Sequence, residues 1–292
     1  MPELPEVETV KRGLNKYIIG RKIKQVTVYN SPRSFPNDQT AVDQFVIDAE
    51  IIAVRRRAKV LMIDLSTEYT LVIHLKMTGQ LVYRGKDNFG AGHPNDSLIG
   101  QLPDRSTRVS FLFSDGSNLF FNDQRKFGWV KLFASLEVPE IDFMKKVGPE
   151  PLESSFKSAE FIERIRRRNN TTVKATILDQ TVLAGVGNIY ADESLWGAKI
   201  HPATRVRDVT DQQLAILLTE IKYVMNLSIE KGGSTDRNYV NADGKKGSYI
   251  DFARVFRKNG LPCGRCGTII GKIRVAGRGT HVCQSCQKVI EN

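Results

Sequence analysis

Residues 263–286, CGRCGTIIGKIRVAGRGTHVCQSC, contain all four cysteines of the chain. Two Cys-x-x-Cys pairs at this spacing can bring four thiolates to one tetrahedral zinc ion. Because the protein would then fill every coordination position, we predict one structural Zn²⁺ bound by Cys263, Cys266, Cys283 and Cys286. The ion would hold a β-hairpin that is too small to bury a core of its own. His281 is a weaker competing ligand, and two disulfides are the alternative to a metal.

The chain as a whole is basic, and so is this hairpin. The net charge is +11 and the isoelectric point about 9.5, over 292 residues. Such an excess attracts polyanions, so nucleic acid is the leading partner and a solubility surface is the alternative. Lys272, Arg274 and Arg278 of the hairpin suit phosphate contacts. No apolar run approaches the roughly 20 residues of a membrane span, and a signal-peptide pattern is missing, so we expect a cytoplasmic protein with reduced thiols.

The N-terminal half of the chain predicts one helix and then a β-structure. Apolar residues recur at helical spacing up to a stop at Gly20, namely Leu4, Val7, Val10, Leu14 and Ile18. Short segments rich in Val, Ile, Phe and Tyr follow to about residue 133, separated by turn signals. They predict an antiparallel β-sandwich or barrel. A stretch rich in Gly, Pro, Asn and Asp, residues 87–104, predicts a long mobile loop.

Helical spacing returns after a proline-rich stretch. It covers residues 158–168, 173–183, 188–199 and 210–232, with Thr210 as a cap. The last 40 or so residues become strand-like again around the cysteines. We therefore predict a multi-domain α+β protein. Its parts are an N-terminal domain over 1–135, a linker over 136–152, a helical domain over 153–248 and a zinc finger over 249–292.

A glycine-rich turn, AGVGNIYADE over residues 184–193, lies between two of these helices. Such a turn can expose backbone N–H groups to an anion at a helix N-terminus, and a tight helix–helix turn is the alternative. Asn188 adds a side-chain donor for phosphate. Asp192 and Glu193 are ambiguous, since both fit a solvated helix face or a response to the helix dipole.

Four stretches converge on one family. They are MPELPEVETV over 1–10, HLKMTG over 74–79, NDQRKFG over 122–128, and LDQTVLAGVGNIYADESLW over 178–196 before the cysteines. In this order, and over nearly the whole chain, they resemble the bacterial formamidopyrimidine-DNA glycosylases, base-excision enzymes for oxidised purines. PELPEVET and GVGNIY are highly specific, and Leu4 favours the purine branch over the endonuclease VIII group, which opens with PEGPE. The resemblance implies an N-terminal β-sandwich with flanking helices, then a helix–two-turn–helix domain with a zinc-finger hairpin.

The chemistry that the resemblance implies starts at Pro2, which becomes the N-terminus once Met1 is removed. A free α-amine has a pKa of about 8 against about 10.4 for lysine, so it can attack C1′ of a nucleotide at neutral pH, displace the base and form a Schiff base. Glu3 matches the carboxylate that protonates the sugar ring oxygen. Glu6, one turn further on, matches a residue for positioning and proton transfer. Lys59 matches a strand lysine that contacts phosphate near the lesion, and β,δ-elimination would then cut the DNA on both sides of the lost base.

The resemblance also implies the DNA contacts. Asn188 and Arg278 match the pair that clamps the phosphates beside the flipped nucleotide, and Lys174 is a weaker phosphate candidate. Three residues match those that fill the space left by the base, namely Met77, Arg125 and Phe127. The loop over 232–240 matches the one that closes on the base, with Gly232, Gly233, Ser234, Thr235 and Tyr239 as its expected contacts. The implied partner is duplex DNA with oxidised purines or abasic sites, bound by a nucleoid-associated monomer.

Some residues depart from the family or fit an ordinary surface. Glu8 and at least two of the three arginines at 55–57 fit a solvated face. RSTRV, residues 105–109, replaces a histidine-containing run, so Arg108 either takes over a phosphate contact or leaves it absent. Two alternatives stay open: a catalytically silent protein of the same fold that binds damaged DNA, and a glycosylase for oxidised pyrimidines.

Overall fold

The computed structural model describes residues 2–233 and 249–289. These residues form two compact units, 2–145 with 231–233, and 146–230 with 249–289. No helix within the described ranges is long and apolar enough to cross a membrane.

The first unit opens with helix α1 (Leu4–Tyr17), as the apolar period predicts. Pro5 lies in the first turn, where its missing N–H has no partner to lose. The apolar stripe is fully buried, with Leu4, Val10 and Leu14 at 0% exposure. Gly20 follows with a φ of 78°, a left-handed conformation that suits the residue after a helix.

Two antiparallel sheets follow, which confirms the predicted β-sandwich. The described residues of this unit form β1 (Ile23–Val28), β2 (Ile51–Arg57), β3 (Val60–Leu65), β4 (Tyr69–His74), β5 (Gly79–Arg84), β6 (Asn88–Gly92), β7 (Thr107–Phe113), β8 (Asn118–Asp123) and β9 (Trp129–Ala134). One sheet has the order β1-β7-β8-β5-β6 and the other β2-β3-β4-β9. A single apolar core takes side chains from both sheets and from α1. Further helices are α2 (Gln39–Phe45), α3 (Asp142–Lys146) and the 3₁₀ helices Pro32–Ser34, Asp96–Leu98 and Ser135–Glu140.

Strand β3 is buried on both faces. Leu61 and Ile63 face the core between the sheets. Val60 and Met62 point the other way, into a second cluster that includes Val138 after β9. The sequence of β3 therefore does not show the alternation of apolar and polar residues that marks a half-buried strand, because both of its faces are apolar.

The prediction of a long loop over residues 87–104 is wrong. Asn88–Gly92 is strand β6, and it pairs along its length with β5. Phe89 anchors the strand: its ring is 5.7 Å from that of Tyr17, and it occupies the space beside Gly13, where a Cβ would overlap it. Arg84 donates to the Leu98 carbonyl at 2.8 Å and holds the segment after the strand.

The prediction of a solvated Glu8 is also wrong. Its side chain is buried and accepts hydrogen bonds from Lys11 and from Arg56, both at 2.9 Å. Burial raises the pKa of Glu8, but these hydrogen bonds and charges outweigh it and leave the pKa below its ordinary value. Of the three arginines at 55–57, Arg56 is largely covered, with a side chain 10% exposed, and Arg55 pairs with Asp64 on the surface.

The second unit is helical up to its C-terminal hairpin. Its described helices are α4 (Ser158–Arg166), α5 (Val173–Leu178), α6 (Asn188–Gly197), α7 (Asp211–Glu230), α8 (Tyr249–Phe252) and the 3₁₀ helix Val206–Asp208. Thr210 caps α7 as predicted, because its hydroxyl accepts the Gln213 N–H at 3.2 Å. Helix α5 ends before the predicted residue 183, since Asp179 turns the chain by accepting the Thr181 N–H at 2.9 Å.

The C-terminal strands β10 (Gly271–Val275) and β11 (Arg278–Val282) form the predicted hairpin. Its turn is Ala276-Gly277, with φ values of 50° and 73°. Two consecutive left-handed residues give the tight turn whose twist matches that of the strands. Arg278 therefore stands at the exposed tip.

Candidate active site

The N-terminus of α1 brings three of the predicted catalytic residues together. Pro2, Glu3 and Glu6 are all buried, the two carboxylates at 3% and 6% exposure. Glu6 accepts the backbone N–H of Glu3 at 2.8 Å, and the two side chains form a capping box. The carboxylates are therefore fixed one turn apart, beside the residue that would carry the reactive amine.

Lys59 lies in the two-residue turn between β2 and β3 and is nevertheless 7% exposed. The next residue, Val60, pairs with His74 at the end of β4. Burial, and then the charges of Lys76 and Lys59, lower the pKa of His74 to about 3. The ring is thus neutral near pH 7. Since its Nδ1 accepts the Lys76 N–H at 3.0 Å, Nε2 carries the proton and is a donor.

Two turns of the first unit display the predicted space-filling residues at the surface. Met77 follows β4 and is 36% exposed, and Phe127 follows β8 and is 53% exposed. Both line one groove. The Arg125 guanidinium lies 4.8 Å from the centre of the Phe127 ring. The structure therefore brings Met77 into one groove with Phe127, which lies 50 residues later in the sequence and carries Arg125 against its ring.

A buried carboxylate fixes both turns, and this role was not predicted from the sequence. Asp123 is 0% exposed and accepts the Arg125 N–H at 3.2 Å and the Gly128 N–H at 2.6 Å. Its third partner is the hydroxyl of Thr78, which also accepts the Arg125 N–H at 3.0 Å. Thr78 is the neighbour of Met77, so one carboxylate joins the two displaying turns.

The loop expected to close on the flipped base is described only in part. Gly232 and Gly233 have φ values of 78° and 96°, which favour glycine. A Cβ on Gly233 would lie 3.4 Å from Cγ of Glu6. The loop thus starts next to a predicted catalytic carboxylate. Ser234, Thr235 and Tyr239 lie outside the described residues.

In the second unit, Asn188 follows the glycine-rich turn and is hydrogen-bonded to the zinc hairpin. Asn188 is the first residue of α6, and its amide nitrogen donates to the Gly279 carbonyl at 3.0 Å, next to Arg278. An amide nitrogen has two N–H bonds, so one remains for a phosphate. Gln180 shapes the turn, because it accepts the Gly185 N–H and donates to the Val186 carbonyl, both at 2.8 Å.

The structure argues against Lys174 as a phosphate contact. Its ammonium group is 0% exposed and donates to Asp192 at 2.6 Å and to the Thr280 hydroxyl at 2.7 Å. Asp192, also fully buried, accepts the His281 N–H at 2.9 Å as well. Lys174 and Asp192 therefore attach the hairpin to α5 and α6. His281 takes part in the same attachment, because its backbone N–H and its ring both contact Asp192.

Glu193 has a similar role on the next position of α6. It is 0% exposed and accepts three backbone N–H groups at 2.8 Å, from Arg254, Val255 and Phe256. The Tyr249 hydroxyl donates to it at 3.2 Å. The segment that leads into the zinc finger is thus folded around one carboxylate, and neither predicted role of this residue is correct.

The four cysteines fit a structural zinc ion. Their sulfur atoms all lie within 4.8 Å of one another, with 3.9 Å between Cys263 and Cys286 and 3.5 Å between Cys266 and Cys283. A tetrahedral ion with Zn–S bonds of about 2.3 Å requires sulfur separations of about 3.8 Å. Hydrogen bonds from Thr268 lower the pKa of Cys266 to about 6, whereas burial and then the neighbouring sulfurs raise that of Cys286 to about 12. A divalent cation relieves this crowding of thiolates, and the four cysteines are its ligands.

Arg108 is not a replacement phosphate contact. It is 5% exposed and donates to the Asp123 carbonyl at 2.7 Å and to its neighbour's carbonyl at 3.2 Å. Its buried guanidinium supports the end of β8. Within the departure at 105–109, Arg108 therefore packs behind the displaying turns, whereas Arg105 is exposed.

A β-sandwich preceded by a helix with buried carboxylates at its N-terminus, and followed by a helical unit with a four-cysteine hairpin, fits the class of zinc-finger DNA glycosylases. Three family models match in succession: the formamidopyrimidine-DNA glycosylase N-terminal domain over residues 1–130, the H2TH domain of these enzymes over 147–239, and the zinc finger found in them and in isoleucyl-tRNA synthetases over 260–289. The chain belongs to the formamidopyrimidine-DNA glycosylase family.

Individual relatives agree over the whole length. The formamidopyrimidine-DNA glycosylase of Desulforamulus reducens is 40% identical over 291 residues, which are 99% of each chain. The Lactococcus lactis enzyme in complex with DNA containing an abasic site has a TM-score of 0.86 at 34% identity, over 98% of this chain and 99% of that one. A mutant of the same enzyme with DNA containing Fapy-dG has a TM-score of 0.86 at 33% identity, over 98% and 100%.

Proposed function

We propose that this protein is a bifunctional DNA glycosylase and abasic-site lyase that removes oxidised purines, 8-oxoguanine and formamidopyrimidines, from duplex DNA. The observation that carries the proposal is the N-terminus of α1. It holds Glu3 and Glu6 buried and hydrogen-bonded beside Pro2. A proline that follows the initiator methionine becomes a secondary amine at the chain terminus once Met1 is removed.

In the proposed first step, the Pro2 nitrogen forms a bond to C1′ while the bond from C1′ to the base breaks. The base leaves with that electron pair and takes up the proton that the Pro2 nitrogen gives up after its attack. Glu3 then protonates the sugar ring oxygen, and the ring opens as the bond from C1′ to this oxygen breaks. The nitrogen lone pair completes a C=N bond, which gives an iminium ion.

The iminium ion makes the C2′ protons acidic, and this accounts for the proposed lyase activity. Loss of a C2′ proton expels the phosphate on C3′, and loss of the C4′ proton then expels the phosphate on C5′. Water finally adds to the iminium carbon, which releases the sugar remnant as an aldehyde and restores the Pro2 amine. Glu6 is the proposed relay for these protons, because its carboxylate already binds the peptide N–H that links Pro2 to Glu3.

The proposed DNA contacts lie in both units. Asn188 and Arg278 present an amide donor and a guanidinium from neighbouring positions, which suits two adjacent phosphates. Zinc gives the hairpin the rigidity that such a contact needs. Met77, Arg125 and Phe127 would occupy the space left by the extruded base, with Phe127 wedged into the base step. The net charge of +11 supports an electrostatic attraction to the duplex.

Oxidised purines are the proposed substrates because Leu4 stands in the motif of the purine branch. The Lactococcus lactis relative was solved with DNA that contains a formamidopyrimidine, an abasic site or an oxidised pyrimidine. These complexes support a damaged nucleotide as the substrate, and the motif around Leu4 is what favours purines among the damaged bases.

Borohydride trapping tests this function, because reduction converts the iminium ion into a stable covalent adduct. With an 8-oxoguanine duplex, the protein is expected to form an adduct that Pro2→Gly forms at least tenfold more slowly. Binding without an adduct would instead establish the silent damage-binding protein. A matched panel with oxidised pyrimidines separates the remaining alternative, since faster trapping on that panel would contradict the assignment to purines.

A further inference from the structure

A groove of about 650 Å³ lies on the first unit, on one side of the turns that display Met77 and Phe127. Trp129 and Lys131 of β9 form part of its lining, and the segment after the first 3₁₀ helix contributes Pro36. Its volume is in the range of pockets that bind small ligands, about 300–1,000 Å³. We name it the basic groove, because four of its lining residues are cationic: Arg33, Lys76, Lys126 and Lys131.

The charge of the basic groove is uncompensated. Among the described residues, no acidic side chain lines it. Within residues 2–233 and 249–289, none of its four cations lies within ion-pair distance of a carboxylate, in contrast to Arg55 and Arg56, which are both paired. Four cations around one groove attract a polyanion with several neighbouring negative charges.

The aromatic residues of the groove point to nucleic acid among the polyanions. Phe127 is 53% exposed, and Trp129 is partly exposed beside it. The Lys131 ammonium lies 4.9 Å from the centre of the Trp129 ring. Cations next to exposed aromatic faces bind phosphates and unstacked bases at the same time, which is how proteins hold single strands.

The backbone holds the groove in a fixed shape. Lys76 and Lys126 both have left-handed conformations, with φ values of 49° and 58°. Such conformations cost non-glycine residues about 1 kcal/mol or more, so they persist only where the surroundings impose them. His74 fixes the first by accepting the Lys76 N–H at 3.0 Å, and Asp123 fixes the second by accepting the Gly128 N–H at 2.6 Å.

The position of the groove selects one DNA strand. Met77 and Phe127 line it, but Pro2, Glu3 and Lys59 do not. Under the proposed function, the DNA strand with the extruded nucleotide passes Pro2. Met77, Arg125 and Phe127 then lie between this strand and its complement. We infer that the basic groove binds the opposite strand, with phosphates on its lysines and arginine and a base against Trp129. This inference rests on the proposed function.

The test combines two neutralising substitutions with two kinds of DNA. The variant R33Q/K131Q is compared with the control K24Q/R105Q, which removes two exposed charges outside the groove. The probe is a duplex with a tetrahydrofuran abasic analogue, in which neutral methylphosphonate linkages replace phosphates near the lesion in either strand. Binding is measured by fluorescence anisotropy at several salt concentrations.

Two lost phosphate contacts reduce the slope of log Kd against log salt by about 1.8. Between about 50 mM and about 200 mM salt, R33Q/K131Q should therefore lose about 12-fold less affinity than the wild type, whereas the control keeps the wild-type ratio. Methylphosphonates in the opposite strand should weaken the wild type but not R33Q/K131Q.

The inference would be overturned if R33Q/K131Q showed the same salt dependence as the control. It would also be overturned if R33Q/K131Q became insensitive to methylphosphonates in the lesion strand rather than to those in the opposite strand. Both results leave the proposed function intact, because the wild type still binds the duplex and forms the borohydride adduct. Failure of the wild type to bind the lesion duplex would contradict the proposed function itself, and the groove's assignment with it.

Discussion

Glu193→Gln should loosen the segment that leads into the zinc finger while leaving the rest of the chain folded. The carboxylate is fully buried, and it accepts the N–H groups of Val255 and Phe256 on one oxygen and that of Arg254 on the other. Glutamine keeps one acceptor oxygen but turns the other into a donor. The new NH₂ group would face the Arg254 N–H, so that two donors oppose each other.

The size of the effect follows from these contacts. A buried N–H without an acceptor costs about 1–3 kcal/mol, and two hydrogen bonds that lose a charged acceptor weaken by about 1 kcal/mol each. Removal of a buried charge returns part of this, because its desolvation is no longer required. The expected net loss is about 2–4 kcal/mol in the free energy of local opening.

Hydrogen exchange measures this opening directly. The amides of Arg254, Val255 and Phe256 should exchange about 30- to 900-fold faster in the variant, since each 1.36 kcal/mol is a factor of ten. Glu220→Gln is the matched control, because Glu220 also accepts from Arg254, at 2.9 Å, but is partly exposed. Its effect should stay below about 1 kcal/mol. Exchange in Glu193→Gln within threefold of wild type would refute the reasoning.

Three further predictions concern other parts of the chain. Gly13→Ala should lower the unfolding free energy by about 1–2 kcal/mol, although alanine favours a helix, because the new methyl overlaps the buried Phe89 ring; an unchanged melting temperature would contradict this. Cys283→Ser should lose zinc and DNA binding while the N-terminal unit stays folded, as judged by metal analysis, anisotropy and circular dichroism; retained tight binding would show that the hairpin is not a DNA clamp. His74 has a folded pKa of about 3 against 6.5, so the unfolded chain binds more protons between these values, and stability falls as pH drops through this window. Relative to His74→Gln, the wild type should lose about 1.4 kcal/mol per pH unit below pH 6.5 in urea unfolding, and parallel profiles would argue against a buried neutral imidazole.

The elements with a strong local signal were predicted from the sequence. Helix α1 has an apolar period and a proline in its first turn, and the cysteine pairs specify a hairpin through spacing alone. Both signals lie within about 25 residues of sequence, so no distant partner is needed to recognise them. The α+β class and the sandwich followed from many short apolar segments in succession.

The errors share a physical cause, which is a partner distant in sequence. Strand β6 has two glycines and one aromatic residue, and it is ordered because Phe89 packs beside Gly13 of α1. Glu8 is buried because Arg56 approaches it from β2, 48 residues away. A charged residue on a helix fits solvent and a buried ion pair equally well until its partner is known.

The candidate site divides in the same way. Motif matches indicated the residues that would touch DNA, such as Asn188 and Arg278. They gave no indication of the buried carboxylates that position them, Asp123, Asp192 and Glu193. These carboxylates act through backbone N–H groups of other segments, and any segment can supply such a donor. The one available signal was an acidic residue inside each of the two motifs, and it was not specific.

The most direct test of the central claim is to identify the residue that carries the borohydride-trapped adduct. After digestion, mass spectrometry of the DNA-linked peptide should find a peptide that begins at Pro2, without Met1, with the sugar remnant on the proline nitrogen. An adduct on a lysine such as Lys59, or on a peptide that still begins with Met1, would contradict the proposal that the N-terminal amine is the nucleophile.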